Sequence, residues 1–237
     1  MVIYTNHIKT PLFLSLFLIF SSLGRGAELN DVQSWWNLAA TGNFYKGKTR
    51  SNFKYWLEGQ QRLGDHNRRS TQRILRPGLG YALNETTSLW LGTAWIYTGI
   101  PLTRSPFSER RIWQQVLWVK KYLQLTLISR SRLEQRFLEG NPKTAWRLRE
   151  MPKIVSPFTK QPQFSVVGSD EVFWHHNNFV GQRNQGLDQN RFFMGIGYKI
   201  NPTISTELGY LNQYIHRRGV PNFLSNNIST TLLFNFS

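Results

Sequence analysis

The sequence has no cysteine. Disulfides, iron–sulfur clusters, thiolate zinc sites and a cysteine nucleophile are all excluded. Acidic residues are scarce, at 13 Asp+Glu against 29 Lys+Arg in 237 residues, a formal net charge of +16. Long apolar runs are also missing, and mean hydropathy is −0.40, which excludes a bundle of membrane-spanning helices. Aromatics are plentiful at 14%. That content excludes a disordered basic tail, because disordered chains lack aromatics.

The one apolar run of note is Pro11–Phe20, PLFLSLFLIF, preceded by His7 and Lys9 and followed by SSLGRGAELN. A weakly basic start, an apolar core of about ten residues and a small-residue tail make a secretory signal. Gly24 and Gly26 stand at −3 and −1 of a cut before Ala27. The expected organisation is a signal over 1–26 and one domain over 27–237. A membrane anchor is the weaker reading, since a spanning helix needs roughly 20 apolar residues.

Beyond Asp31 the chain has a period of two. In Asn190–Ile200, Phe192, Met194, Ile196 and Tyr198 share one face, and Arg191, Gly195, Gly197 and Lys199 the other. Leu123–Phe137 sets Leu125, Leu127, Leu133 and Phe137 against Arg130, Arg132, Glu134 and Arg136. Successive strand side chains face opposite ways, so each run has one apolar and one polar face. Eleven candidate strands follow, at about 31–41, 50–62, 69–83, 86–98, 109–120, 123–138, 144–157, 163–174, 189–200, 203–216 and 223–236. Short and long connections alternate between them, the rhythm of an outer-membrane barrel. A soluble β-sandwich also alternates, but its strands are shorter, and its core does not accept this many Arg, Glu and Gln.

The fold class expected is therefore all-β: a single closed antiparallel transmembrane barrel of 10–12 strands. Twelve is favoured, because bacterial single-chain barrels have even numbers. The last strand alternates Leu224, Asn226, Ile228, Thr230, Leu232, Phe234 and Phe236. Its aromatic end resembles the signal read by the outer-membrane insertion machinery. Trp35, Trp36, Tyr81, Trp118, Tyr122, Trp146, Tyr198 and Tyr210 are the expected girdle residues.

The stretches SRSRLEQRF (Ser129–Phe137), TAWRLRE (Thr144–Glu150), VGSDEVFW (Val167–Trp174), QNRFFMGIGYKI (Gln189–Ile200) and ISTELGYLNQY (Ile204–Tyr214) resemble an uncharacterised bacterial family, domain of unknown function 2490. The resemblance spans nearly the whole chain after the signal, through loose motifs. It implies a secreted barrel in the outer membrane of a Gram-negative bacterium. It carries no catalytic assignment.

The residues argue against an enzyme. Barrel-embedded acyl hydrolases set His and Ser two apart on one strand, so that both share a face. Two after His66, His175, His176 and His216 come Arg68, Asn177, Asn178 and Arg218; two before come Gly64, Phe173, Trp174 and Tyr214. None is Ser. A lipid-modifying enzyme with a dyad built across strands is the alternative. Asp170, Glu171, His175 and His176 resemble a metal set, but adjacent strand residues face opposite ways. No metal or cofactor is expected.

The face assigned to the lumen carries the basic residues Arg130, Arg132, Arg136, Arg147, Arg149, Lys153 and Arg191, together with Lys54, Arg62, Arg76, Arg111 and Lys199. Glu58, Glu109, Glu134, Glu171 and Glu207 share it. A wet pore lined this way selects anions. Arg and Glu paired across a narrow lumen plug it instead, and this is the stronger reading. Basic residues at the rim suit lipopolysaccharide phosphates. Outer-membrane lipid and the insertion machinery are the expected partners, and a secreted barrel excludes nucleic acid.

Overall fold

A computed structural model describes residues 28–103, 105–178, 185–219 and 221–236. The proposed signal segment lies outside the described residues. Among these, eleven strands form one closed barrel and there is no helix. They are β1 (Glu28–Lys46), β2 (Thr49–Gly64), β3 (Arg69–Ala82), β4 (Thr87–Thr98), β5 (Phe107–Tyr122), β6 (Leu125–Leu138), β7 (Ala145–Pro157), β8 (Phe164–His175), β9 (Gly186–Lys199), β10 (Ile204–Ile215) and β11 (Asn222–Phe236).

All consecutive strands pair antiparallel. The barrel closes by a parallel pair, β1 with β11, running from Glu28↔Asn222 to Gly42↔Phe236. This corrects the even strand number and the wholly antiparallel sheet. An odd number of up-and-down strands brings the first and last together pointing the same way. Fifteen residue pairs in register along that seam leave no edge exposed.

Connections alternate in length because of what the turns contain. At one rim, Gly47 (φ 63°) and Leu123 (φ 56°) supply the positive φ of two-residue hairpin turns. At the same rim, the Asn201 side chain accepts from the Thr203 and Ile204 amides at 2.9 and 2.8 Å. The opposite rim carries longer connections, at 99–106, 139–144 and 176–185. One of its shorter links is tied down by Asp31, whose carboxylate accepts from the amides of Asp65 and His66 at 3.0 Å each.

The outer face is predominantly apolar. Each strand exposes large hydrophobic side chains there, among them Leu38, Leu57, Leu79, Leu91, Met194, Leu208 and Ile228. Leu79 and Ile228 are each 62% exposed. The inner face holds the buried polar set and two apolar clusters: Ile74, Trp90, Ala94, Ile96 and Trp113, and Trp35, Val167, Phe193 and Leu211. Trp35 thus belongs to the interior, not to an aromatic girdle. It shares the odd-numbered face of β1 with buried Asp31 and Gln33.

Candidate functional site: a charged network filling the barrel

The interior is organised around carboxylates, each gripped by several guanidiniums. Glu109 on β5 accepts from its strand neighbour Arg111 at 2.5 Å and from Arg136 of β6 at 2.6 Å. Glu134 on β6 accepts from Arg147 and Arg149 of β7 at 2.6 Å each, with Arg111 at 3.5 Å. Glu171 on β8 accepts from Arg149 and from Arg130 of β6 at 2.7 Å each, and Arg191 of β9 lies at 3.7 Å. Arg149 therefore joins Glu134 to Glu171, and one ionic chain runs from β5 to β9.

Two further pairs complete the set. Arg76 of β3 donates to Glu58 of β2 at 2.7 Å. Glu58 also accepts from Trp56 Nε1 at 3.1 Å and from Gln60. Lys153 of β7 reaches Glu207 of β10 at 2.6 Å, a chord across the lumen rather than a contact along the wall.

These side chains are held in place by packing as well as charge. Arg191 lies over Trp35 at 5.0 Å and over Phe173 at 4.6 Å. Arg62 stacks on Trp35 at 3.7 Å. Arg132 lies over Trp113 at 4.6 Å. Arg132, Glu134, Trp113 and Phe173 are fully buried. Alternation explains this placement. Inward positions fall on even numbers in β6 and odd numbers in β7, so Arg130, Arg132, Glu134 and Arg136 meet Arg147, Arg149 and Lys153 on one side of the wall. Like charges in neighbouring positions repel, and the glutamates sit between them.

Of the charged residues assigned to the lumen from the sequence, Arg62, Arg76, Arg111, Arg132, Arg136, Arg147, Arg149, Glu58, Glu109, Glu134 and Glu171 are buried, Lys54, Arg130, Lys153, Arg191 and Glu207 are partly buried, and Lys199 is exposed at the end of β9. His175 ends β8 inside the barrel, with Nε2 2.9 Å from Asp188. Asp170 and Glu171 fall on opposite sides of the β8 wall, so they serve no common site.

Sequence reasoning missed a second feature, a band of polar pairs on the outer face. Ser131 of β6 donates to Glu150 of β7 at 2.7 Å. Asn190 of β9 donates to Asp170 of β8 at 2.6 Å. Tyr210 and Asn212 of β10 donate to Asn226 of β11 at 2.5 and 3.0 Å. The three partnered strand pairs adjoin, so the band crosses β6 to β11. Parity along each strand places these residues outside. Only the register shows that they are partners.

The family model "protein of unknown function (DUF2490)" matches residues 32–223. An uncharacterised protein of Methylorubrum extorquens is 30% identical over 205 residues, covering 85% of this chain and 87% of that protein. Among solved structures, LpxR from Salmonella typhimurium aligns with a TM-score of 0.41 and 7% identity, over 73% of this chain and 80% of that one. With a family model covering most of the barrel and a relative matched over most of its own length, this chain belongs to the DUF2490 family of proteins of unknown function.

Proposed function

We propose that this protein is an outer-membrane barrel of a Gram-negative bacterium, non-enzymatic, with a closed lumen. It acts as an envelope component rather than as a solute pore. The large hydrophobic side chains exposed on the outer face of every strand support the membrane placement: large exposed apolar patches are rare on soluble monomers, while a bilayer requires them. The observation that carries the closed lumen is the fully buried Arg132 and Glu134 within a network that crosses the barrel. A water-filled pore leaves such groups hydrated.

In this reading lipid contacts the outer wall, and β11 presents Phe234 and Phe236 to the insertion machinery. Near the long-loop rim, exposed Arg73 and Arg110 flank Trp95 and Tyr97, with Arg73 stacked on Tyr97 at 5.1 Å. Lipopolysaccharide phosphates are their natural counter-charge.

Liposomes carrying the refolded protein should not swell in isotonic arabinose or glycine, matching protein-free liposomes. Swelling at a porin-like rate would overturn the closed lumen.

A second reading is favoured by one contact. Ser131 and Glu150 form a hydroxyl–carboxylate pair on the lipid side, the arrangement in which a carboxylate serves as base for a hydroxyl nucleophile. That reading, a lipid-modifying enzyme, requires release of acyl chains from phospholipid or lipid A by the wild type. It also requires loss of that release in Ser131→Ala and Glu150→Gln. The non-enzymatic reading predicts no release from any of the three.

A further inference from the structure

The interior holds more cation than its carboxylates pair. Arg132 is fully buried, yet a neutral group holds it: Nε and Nη2 donate to Gln115 Oε1 at 2.9 and 2.6 Å. Arg62 is likewise held by amides, Gln72 and Gln60 at 2.6 Å each. Among the described residues, no carboxylate lies within ion-pairing distance of either guanidinium.

A second observation concerns polarity. Five buried N–H-bearing atoms on the inner face have no acceptor: Nε of Arg62, Arg76 and Arg130, Nη1 of Arg132 and Nε2 of Gln115. These five donors come from β2, β3, β5 and β6, whereas the unpartnered acceptors Asn37 Oδ1, Asp188 Oδ1 and Asn227 Oδ1 belong to β1, β9 and β11. Gln115 stands opposite Arg132 in the β5–β6 register, and Arg130 precedes Arg132 on the same face of β6. Arg76 comes from the β3 wall, two positions before Gly78, against which the Trp113 ring under Arg132 is seated. Arg76 is already committed to Glu58 and Arg130 to Glu171, so neither carboxylate is left for Arg132.

Water accepts hydrogen bonds from such donors but leaves the surplus charge uncompensated in a low-dielectric interior. An anion does both. Guanidinium N–H groups suit small anions and oxyanions through charge-assisted hydrogen bonds. The geometry points to a small inorganic anion, chloride or phosphate in kind, resident in the lumen against Arg132 Nη1, Gln115 Nε2 and the Nε groups of Arg76 and Arg130. This rests on the closed lumen proposed above, since bulk water in an open pore would screen the same charges.

The test is thermal unfolding of the protein refolded in detergent micelles, at matched ionic strength, in sodium gluconate, chloride or phosphate. Gluconate is the bulky reference. A resident anion raises Tm in chloride or phosphate by roughly 5–10 °C once the ion is at a hundred times its Kd, and the larger rise identifies the ion. Gln115→Glu supplies the missing charge from the protein itself. It should fold in gluconate and lose most of the difference among the salts; Arg132→Gln, if it folds, should lose it too. Equal Tm in all three salts would overturn the inference. An undiminished difference in Gln115→Glu would overturn it as well, marking a general salt effect with only water inside. A non-conducting wild type without anion dependence removes this inference and leaves the closed lumen standing; a conducting wild type removes both.

Discussion

Glu134→Gln should lower the unfolding free energy of the barrel by about 3–5 kcal/mol, the range for breaking a buried ion pair by neutralising one partner. The size follows from what the carboxylate holds. Its Oε2 accepts from Arg147 Nε and Nη2 at 3.0 and 2.6 Å, and its Oε1 from Arg149 Nη1 at 2.6 Å. Arg111 adds a contact at 3.5 Å. Glutamine keeps the shape but loses the charge, and it replaces one acceptor oxygen with a donor aimed at guanidiniums. Arg147 loses its carboxylate partner, while Arg111 keeps Glu109. The measurement is reversible urea unfolding in detergent micelles or thin bilayers, followed by tryptophan fluorescence. Asp65→Asn is the control. Its bridge to Arg69 lies in a loop, with the two side chains 36% and 59% exposed, so the loss should be within about 1 kcal/mol. Equal effects at the two positions would mean that the interior is hydrated and the network weak.

Trp113→Ala should cost a similar amount, about 3–5 kcal/mol. The ring is fully buried and lies over Gly78 and Gly92, which face each other across β3 and β4. A Cβ on either glycine would collide with the ring's six-membered part, so the pair forms a seat that only glycine leaves open. The indole N–H donates to the Thr93 carbonyl at 2.9 Å, and the Arg132 guanidinium covers the ring at 4.6 Å. Truncation leaves a cavity in the cluster of Ile74, Trp90, Ala94 and Ile96, and it strips a face from a buried cation. Trp95 is the comparison: it lies on the outer face of β4 and is 49% exposed. Trp95→Ala should cost clearly less in the same assay. A reversed order would contradict the assignment of inner and outer faces.

Much of the fold was legible because a strand reports its two faces in its own sequence. Arg130, Arg132, Glu134 and Arg136 stand against Leu133 and Phe137, and no register is needed to see which side is polar. All eleven candidate segments correspond to strands, including the N-terminal one. Closure was not legible. The seam between β1 and β11 joins residues almost two hundred positions apart, and no local pattern states that the two run parallel. The even-number rule describes other barrels and imposes no physical constraint on this one. Trp35 was misplaced for a different reason. Its position near the start of β1 suggested an interface, but its parity with Asp31 and Gln33 puts it inside.

The candidate site divides in the same way. Which charges face inward follows from alternation, but who pairs with whom depends on shear and curvature. Arg130 skips a strand to reach Glu171, and Lys153 crosses the lumen to Glu207. Neither contact is implied by sequence spacing. The outer band was missed because Ser131, Glu150 and Asn190 carry no signal singly and Asp170 was weighed only as a metal ligand; they become a feature only when β6, β7, β8 and β9 are laid side by side.

The claim on which the rest depends is that side chains close the lumen. Planar-bilayer recording of the purified, refolded protein tests it most directly. In 1 M potassium chloride, wild type should show no stepwise ohmic conductance above the protein-free baseline. Discrete, uniform conductance steps with an anion-selective reversal potential under a salt gradient would contradict the account, because the Arg–Glu network would then line an open pore instead of filling it.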